Sequence, residues 1–368
     1  MIPITKPTLP KYEEVEKELR NIIESGMITN AKYVRELEKN AAEYIQIPDT
    51  AALSSCTSGL ILTQKLLNLK GEVILPSFTF HATAHSLVWN NLKPKFVDIE
   101  ENHYNIDPQK VNEAITPNTS AILAVHMFGH PADTKALQEI AKDNNLKLIF
   151  DAAHAFGSKI NNLNIGRFGD AEVFSLSPTK LLTAGEGGIV SSNNKVLIKK
   201  LKIARNYGDD GSYNCEYSGL NARMSELNGI LGIKTLQQLD QNIENRNKLA
   251  EFYKQKLSKL KIGFQKIAPN VKTTYKDFSL YINPEEIGIN RDELCNQLEK
   301  KGIISKKYFY PPVHKQTAFK EFNNLRYPIT EKVSTNVLSV PLYSHMKKTE
   351  VEKVCDAIST IIQENGRK

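Results

Sequence analysis

Cysteine is scarce in this chain. Cys56, Cys215, Cys295 and Cys355 are scattered through 368 residues and form no C-x-x-C pair. Neither a zinc cluster nor a disulfide framework is indicated, and free thiols in a reducing compartment are expected. Long apolar runs are also lacking: none approaches the roughly 20 residues needed to span a bilayer. The start, Met1-Ile2-Pro3-Ile4-Thr5-Lys6-Pro7, has no basic, apolar and small-residue sequence of a signal peptide, so the cytoplasm is the expected address. Charge of one sign is not concentrated. The net +7 comes from 48 basic and 41 acidic residues. Clusters such as Lys199-Lys200-Leu201-Lys202 and Lys254 to Lys261 have helical spacing with apolar partners, as solvated helix faces do. Nucleic-acid binding is not expected without a basic stripe and a recognisable module, whereas an anionic small substrate suits the charge. Repeats, low-complexity tracts and disordered linkers are missing too.

What is present is an alternation of short apolar runs with helical patterns. Residues 51–54, 73–76, 95–97, 120–125, 146–151, 171–175 and 188–191 read as strands, with helical stretches such as 109–115 and 132–144 between them. That order predicts an α/β fold with a mostly parallel sheet covered on both faces, and ligands at the carboxyl ends of the strands. Helices are expected over residues 12–25, stopping at Gly26, over 35–44, and from Ser225 to about Leu257. Beyond about Ile262 strand-like and helical pieces mix, as in a smaller α+β domain. We therefore expect an N-terminal segment and large domain over residues 1–240 and a small domain over 241–368.

Three pieces carry chemistry. A buried strand ends in Asp151-Ala152-Ala153-His154, and Phe174-Ser175-Leu176-Ser177-Pro178-Thr179-Lys180 follows a second strand. A carboxylate at a strand tip with a lysine about thirty residues later suits a pyridine-ring cofactor: the carboxylate keeps the ring nitrogen protonated and the lysine bonds to the cofactor aldehyde. Ser54-Ser55-Cys56-Thr57-Ser58-Gly59 lies between the first strand and a helix, where free N–H groups, hydroxyls and the helix dipole favour a phosphate. The same residues also read as a plain N-cap. They lack the G-x-x-x-x-G-K-[ST] spacing of a P-loop and the G-x-G-x-x-G of a nicotinamide oxidoreductase, which count against both. Phe78-Thr79-Phe80-His81 could present a ring to a planar cofactor or bury both phenylalanines in the core. His81 with His85, and His126 with His130, have metal spacing, but the second pair is broken by Gly129 and neither has an adjacent Glu, so no metal is expected. Gly185-Glu186-Gly187-Gly188 reads equally as a tight turn into a strand.

As a set, these pieces resemble the DegT/StrS-type sugar aminotransferases, pyridoxal-phosphate enzymes of fold type I with an aspartate aminotransferase-like large domain. The resemblance runs from about Pro7 to His314. It is carried by Pro76 to Thr83, Phe96-Val97-Asp98-Ile99, Tyr104 to Pro108, Val125 to Asp133, Asp151 to Ala155, the Lys180 block, Leu220 to Glu226 and Tyr308 to His314. It implies pyridoxal 5'-phosphate bonded to Lys180, with Asp151 on the ring nitrogen, His154 on the ring hydroxyl and Phe80 stacked on the ring. It also implies that Thr57, Ser58 and Ser175 hold the phosphate and that Asn221 reaches it from a neighbouring subunit, making a homodimer with shared sites. Relatives often read Ser-Gly-Thr-Ala where this chain has Ser55-Cys56-Thr57-Ser58, and often Gln at His154; hydroxyls nevertheless remain for a phosphate. Some related dehydratases replace the lysine by histidine, so Lys180 implies transamination.

Within the family the chain most resembles the 4-aminotransferases that make dTDP-4-amino-4,6-dideoxyglucose, through Gly71 to Ile74, Asp151 to Phe156 and Tyr308 to Pro311. The implied substrates are L-glutamate and dTDP-4-keto-6-deoxyglucose, serving O-antigen or other polysaccharide synthesis. Amination at C3 and UDP- or GDP-linked sugars are the alternatives. Thr29, Asn30, Glu186 and His314 are candidate sugar contacts, though polar loop residues are common without function. A non-catalytic nucleotide-sugar binder or sensor is the reading from another class; the presence of Lys180 and Asp151 argues against it.

Overall fold

The computed structural model describes residues 1–365. Seven strands form the main sheet: β1 (Thr50–Leu53), β2 (Glu72–Pro76), β3 (Lys93–Val97), β4 (Thr119–Val125), β5 (Lys147–Asp151), β6 (Ala171–Ser175) and β7 (Gly188–Ser191). Their order is β1-β7-β6-β5-β4-β2-β3, and β7 alone runs antiparallel to its neighbours. The apolar runs Val73–Leu75, Ile122–Ala124 and Leu148–Phe150 are wholly buried, as strands covered on both faces must be. Each fully buried Leu, Ile or Phe adds about 1.5–3 kcal/mol of transfer free energy. All seven strands lie where the sequence predicts them, and two match from end to end.

The covering helices include α1 (Glu16–Ser25), α2 (Lys32–Ile45), α3 (Cys56–Leu66), α4 (His81–Val88), α5 (Pro108–Ala114), α6 (Thr134–Asp143), α7 (Lys195–Ala204), α8 (Glu226–Gln237) and α9 (Leu239–Leu257). Gly26 ends α1 in the left-handed region at φ 66°. The second helix begins three residues before its expected start, because its cap comes from afar. The buried Glu226 carboxylate accepts the N–H groups of Ala31, Tyr33 and Val34 at 2.8, 2.7 and 3.0 Å, a capping contact that also suits the helix dipole. The single long helix expected after Ser225 is two helices. At Gln238 (φ −98°, ψ −1°) the regular helical hydrogen bonding is interrupted and the N–H turns to the carbonyls of Thr235 and Leu236. This break lets α8 pack on α2 while α9 packs on the C-terminal helix Lys348–Asn365.

A second core gathers residues of α9, the C-terminal helix and a three-stranded antiparallel sheet of β8 (Gly263–Phe264), β9 (Phe278–Tyr281) and β10 (Val337–Val340). Leu239 and Ile243 of α9 join the core of the main sheet, whereas Leu249, Tyr253 and Leu257 join the second core. The first residues also lie on the second body: Ile2 bridges Ile303, and the Ile4 carbonyl accepts the Leu342 N–H at 3.1 Å.

Candidate active site

The carboxyl ends of the strands open into a cavity of about 410 Å³. Most groups on its floor lie at or just past the end of a regular element. Ser55, Cys56 and Thr57 follow β1 and start α3; Phe80 precedes α4; Asp151 ends β5, with Ala153 and His154 just after it; Ser175 ends β6, with Ser177 just after it; Lys180 and Glu186 lie in the connection between β6 and β7. The rest of the lining comes from later in the chain: Lys276 and Asp277, and Tyr308 and Phe309, whose rings pack against Phe128.

Asp151 is buried. Its Oδ2 accepts the Thr83 hydroxyl at 2.7 Å and its Oδ1 the Ala153 N–H at 3.1 Å. Thr83 is in turn 2.9 Å from the Thr79 hydroxyl. Burial pushes the Asp151 pKa up, while these two donors and the charges of Lys180 and His126 pull it back. Two donors leave part of the carboxylate's capacity of about four hydrogen bonds unused.

Lys180 sits in the turn after Ser177, whose carbonyl accepts its N–H at 3.0 Å. Burial, followed by the like charge of Lys276, lowers its pKa from 10.5 to about 8, against the opposing pull of Asp277, Cys56 and Asp151. A substantial neutral fraction near neutrality makes this amine a nucleophile and a base. Burial and the cations Lys180 and Lys276 push the His154 pKa well below 6.5, so the ring is neutral. Its Nδ1 accepts the Phe128 N–H at 3.3 Å, which leaves Nε2 as the protonated nitrogen.

The start of α3 is held by a reciprocal serine cap. Ser55 Oγ accepts the Ser58 N–H at 3.0 Å, and Ser58 Oγ accepts the Ser55 N–H at 3.2 Å and donates to the Ser55 carbonyl at 2.8 Å. The Ser58 hydroxyl therefore serves the cap and does not line the cavity, whereas Thr57 does. Ser175 and Ser177 add hydroxyls 3.3 Å apart. The cup depends on a close approach behind it: a Cβ on Gly188 would lie 2.5 Å from the Ser55 carbonyl and 2.6 Å from Cys56 N.

The model of the DegT/DnrJ/EryC1/StrS aminotransferase family matches residues 11–359. The chain belongs to the DegT/DnrJ/EryC1/StrS aminotransferase family. It is 34% identical over 362 residues to a dTDP-4-amino-4,6-dideoxy-D-glucose transaminase of Shigella dysenteriae, covering 97% of this chain and 98% of that protein. It is 32% identical over 362 residues to the Escherichia coli transaminase of the same description, covering 96% of each. A crystal structure of DesI in the presence of its TDP-sugar product superposes with a TM-score of 0.94 at 30% identity, covering 98% of this chain and 93% of that one.

In this aminotransferase the cavity collects Thr57, Phe80, Asp151, His154, Ser175, Lys180 and Glu186 from among the residues singled out in the sequence. Thr29, Asn30, Asn221 and His314 lie outside it. Thr29 Oγ1 donates to the Met224 carbonyl at 3.1 Å, and Asn30, at φ 50°, donates its N–H to the same carbonyl. His314 is fully buried, with Nδ1 2.6 Å from Ser77 Oγ and Nε2 3.4 Å from Glu331. Asn221 is exposed on the segment that bridges Asn206. Sequence reasoning missed Thr83, Ser177, Lys276 and Asp277. Thr83 stands in the family-like run after β2, which was a usable signal. Nothing distinguishes Lys276-Asp277 from a solvated turn.

Proposed function

We propose that this protein is a pyridoxal-phosphate-dependent aminotransferase that moves the amino group of L-glutamate to dTDP-4-keto-6-deoxyglucose, giving dTDP-4-amino-4,6-dideoxyglucose. The observation that carries the chemistry is the meeting of Asp151, Lys180 and the hydroxyl-lined start of α3 in one cavity. The choice of acceptor rests on the likeness to two transaminases of that sugar.

The residues fit the cofactor. A buried carboxylate facing a cavity with spare acceptor capacity is costly unless a cation meets it, and a protonated ring nitrogen is such a cation. Asp151 would hold that nitrogen, neutral His154 the ring hydroxyl and Phe80 the ring face. Thr57, Ser175, Ser177 and the first N–H groups of α3 would hold the phosphate. When bound, pyridoxal phosphate supplies the electron sink for a carbanion at the carbon bearing the amino group. Lys180 supplies the amine that anchors the cofactor and, once freed, takes and returns the proton. Its lowered pKa suits both tasks. Exposed Asn221, outside its own cavity, suits a homodimer in which a second copy completes the site. We place the enzyme in the cytoplasm; among the described residues no helix is long and apolar enough to cross a membrane.

The test is the visible spectrum of the protein with pyridoxal phosphate, before and after L-glutamate, in wild type and Lys180→Ala. The wild type should be yellow, bleach with glutamate and regain colour with dTDP-4-keto-6-deoxyglucose. The Lys180→Ala protein should lose turnover by about 10⁴-fold or more. A colourless wild type would sink the aminotransferase reading. Bleaching without recovery would keep the reaction and discard this acceptor in favour of a 3-keto, UDP- or GDP-linked sugar.

A further inference from the structure

Two charged side chains on the cavity wall have no task in the chemistry above. Lys276 and Asp277 are both buried, and the Lys276 ammonium lies 3.0 Å from each Asp277 carboxylate oxygen. A buried ion pair is weak grounds for stability, since its desolvation offsets its attraction. This one joins sequence neighbours just before β9 and so ties no distant parts of the fold together. It nonetheless lines the same cavity as Lys180, together with Tyr308 and Phe309.

The pair is close to neutral as a unit yet offers strong hydrogen-bond donors beside strong acceptors. That chemistry suits a neutral hydroxyl, which both gives and takes a hydrogen bond, better than it suits a carboxylate or phosphate, which Asp277 would repel. The two aromatic rings beside it supply apolar surface for the C–H faces of a pyranose. Lys276 and Asp277 share the cavity lining with Lys180, and their charges act on its amine.

We propose that Lys276 and Asp277 are specificity-determining residues that read the acceptor sugar, hydrogen-bonding together to the hydroxyl on the carbon next to the reacting carbonyl. This inference rests on the nucleotide-sugar reading above. A site built to bond a hydroxyl penalises a substrate lacking it, because the buried polar groups are then left unmet.

The test is calorimetric titration of the glutamate-treated holoenzyme, which cannot turn the product over, with three probes: dTDP-4-amino-4,6-dideoxyglucose, its 3-deoxy analogue and dTDP. Wild type should bind the 3-deoxy analogue about tenfold or more weakly than the full sugar. Asp277→Asn, and the double variant Lys276→Met with Asp277→Leu, should lose most of that difference while binding dTDP as wild type does. Unchanged dTDP binding also shows that the variants are folded. A variant that keeps the full preference for the 3-hydroxyl overturns the inference, as does equal loss of affinity for all three probes. A wild type that binds none of the probes overturns the dTDP-sugar reading itself, a result distinct from either.

Discussion

The two walls of the cavity are built differently. On the wall built by the main sheet, Asp151 is set by the end of β5, Ser175 by the end of β6 and Thr57 by the start of α3, with Lys180 held in the turn after β6. On the other wall Lys276, Asp277, Tyr308 and Phe309 come from connecting segments between elements. Chemistry common to every substrate gains from fixed positions on rigid elements, whereas selectivity can be changed by exchanging a few side chains on loops. The difference teaches that substitutions on the first wall should alter turnover of any acceptor, and those on the second should alter which acceptor is preferred.

The sharpest way to break that contrast is Asp151→Asn. An amide cannot stabilise a protonated ring nitrogen, and losing one preorganised electrostatic contact of this kind lowers turnover by about 10²–10³-fold. The cofactor-free protein should be no less stable. Burial already pushes the Asp151 pKa up, so keeping it ionised at neutral pH costs stability that the neutral amide avoids. Kinetics with two acceptor sugars and thermal unfolding without cofactor check both halves. A turnover loss confined to one sugar would erase the distinction between the walls.

A second effect links the walls through charge. Lys180 must be neutral to bond with an aldehyde, and with a pKa of about 8 its neutral fraction rises about fiftyfold between pH 6 and pH 8. The rate at which cofactor-free protein captures pyridoxal phosphate should climb over that range and level off above it; an ordinary lysine at 10.5 would keep climbing. Lys276 lowers this pKa and Asp277 raises it. Lys276→Met should therefore move the midpoint to higher pH and Asp277→Asn to lower pH. Stopped-flow absorbance across pH measures the shift, and unmoved midpoints would show that the second wall does not act on Lys180.

The first wall was also the one legible in the sequence. Buried strands write themselves as apolar runs bounded by glycine, proline and polar residues, so Ala171–Ser175 and Gly188–Ser191 were readable to the residue. Asp151 and Lys180 stood out because they follow such runs. What stayed hidden depended on partners distant in sequence or on side-chain direction. The start of α2 needs Glu226, and the break at Gln238 carries neither glycine nor proline. Four neighbouring hydroxyl or thiol residues, Ser55 to Ser58, cannot reveal which side chains close the cap and which face the cavity. His314 is a buried partner of Ser77 and Glu331, although its surrounding motif resembles a substrate loop.

Gly188→Ala tests the backing of the proposed phosphate cup without touching a polar group. The added Cβ would meet backbone atoms of Ser55 and Cys56, which cannot swing aside as a side chain can. Either β7 leaves its register with Leu53 or the start of α3 moves. Overpacking of this kind costs about 1–3 kcal/mol, and displacing the phosphate donors should weaken pyridoxal-phosphate binding by about tenfold. Equilibrium dialysis of the cofactor and denaturant melts separate the two effects. Full cofactor affinity with lowered stability would place the phosphate elsewhere than at α3.

The smallest effect expected on the first wall is at Thr83, which reaches the chemistry only through Asp151. Thr83→Val keeps the shape and removes the hydroxyl that donates to Asp151 Oδ2. That hydrogen bond favours the charged carboxylate, so its loss raises the Asp151 pKa further above the ordinary carboxylate range. Activity that requires ionised Asp151 is lost as pH falls through this pKa, so the acid limb of the turnover profile should move to higher pH. At neutral pH the rate should fall only about fivefold, as the loss of one hydrogen bond worth about 1 kcal/mol implies. Thr83→Ser, which restores the hydroxyl, should return the acid limb to its wild-type position. A uniform drop at every pH, unrescued by serine, would mean that Thr83 packs α4 rather than tuning the carboxylate; a preserved limb in the valine variant would mean that the Ala153 N–H alone holds Asp151 in place.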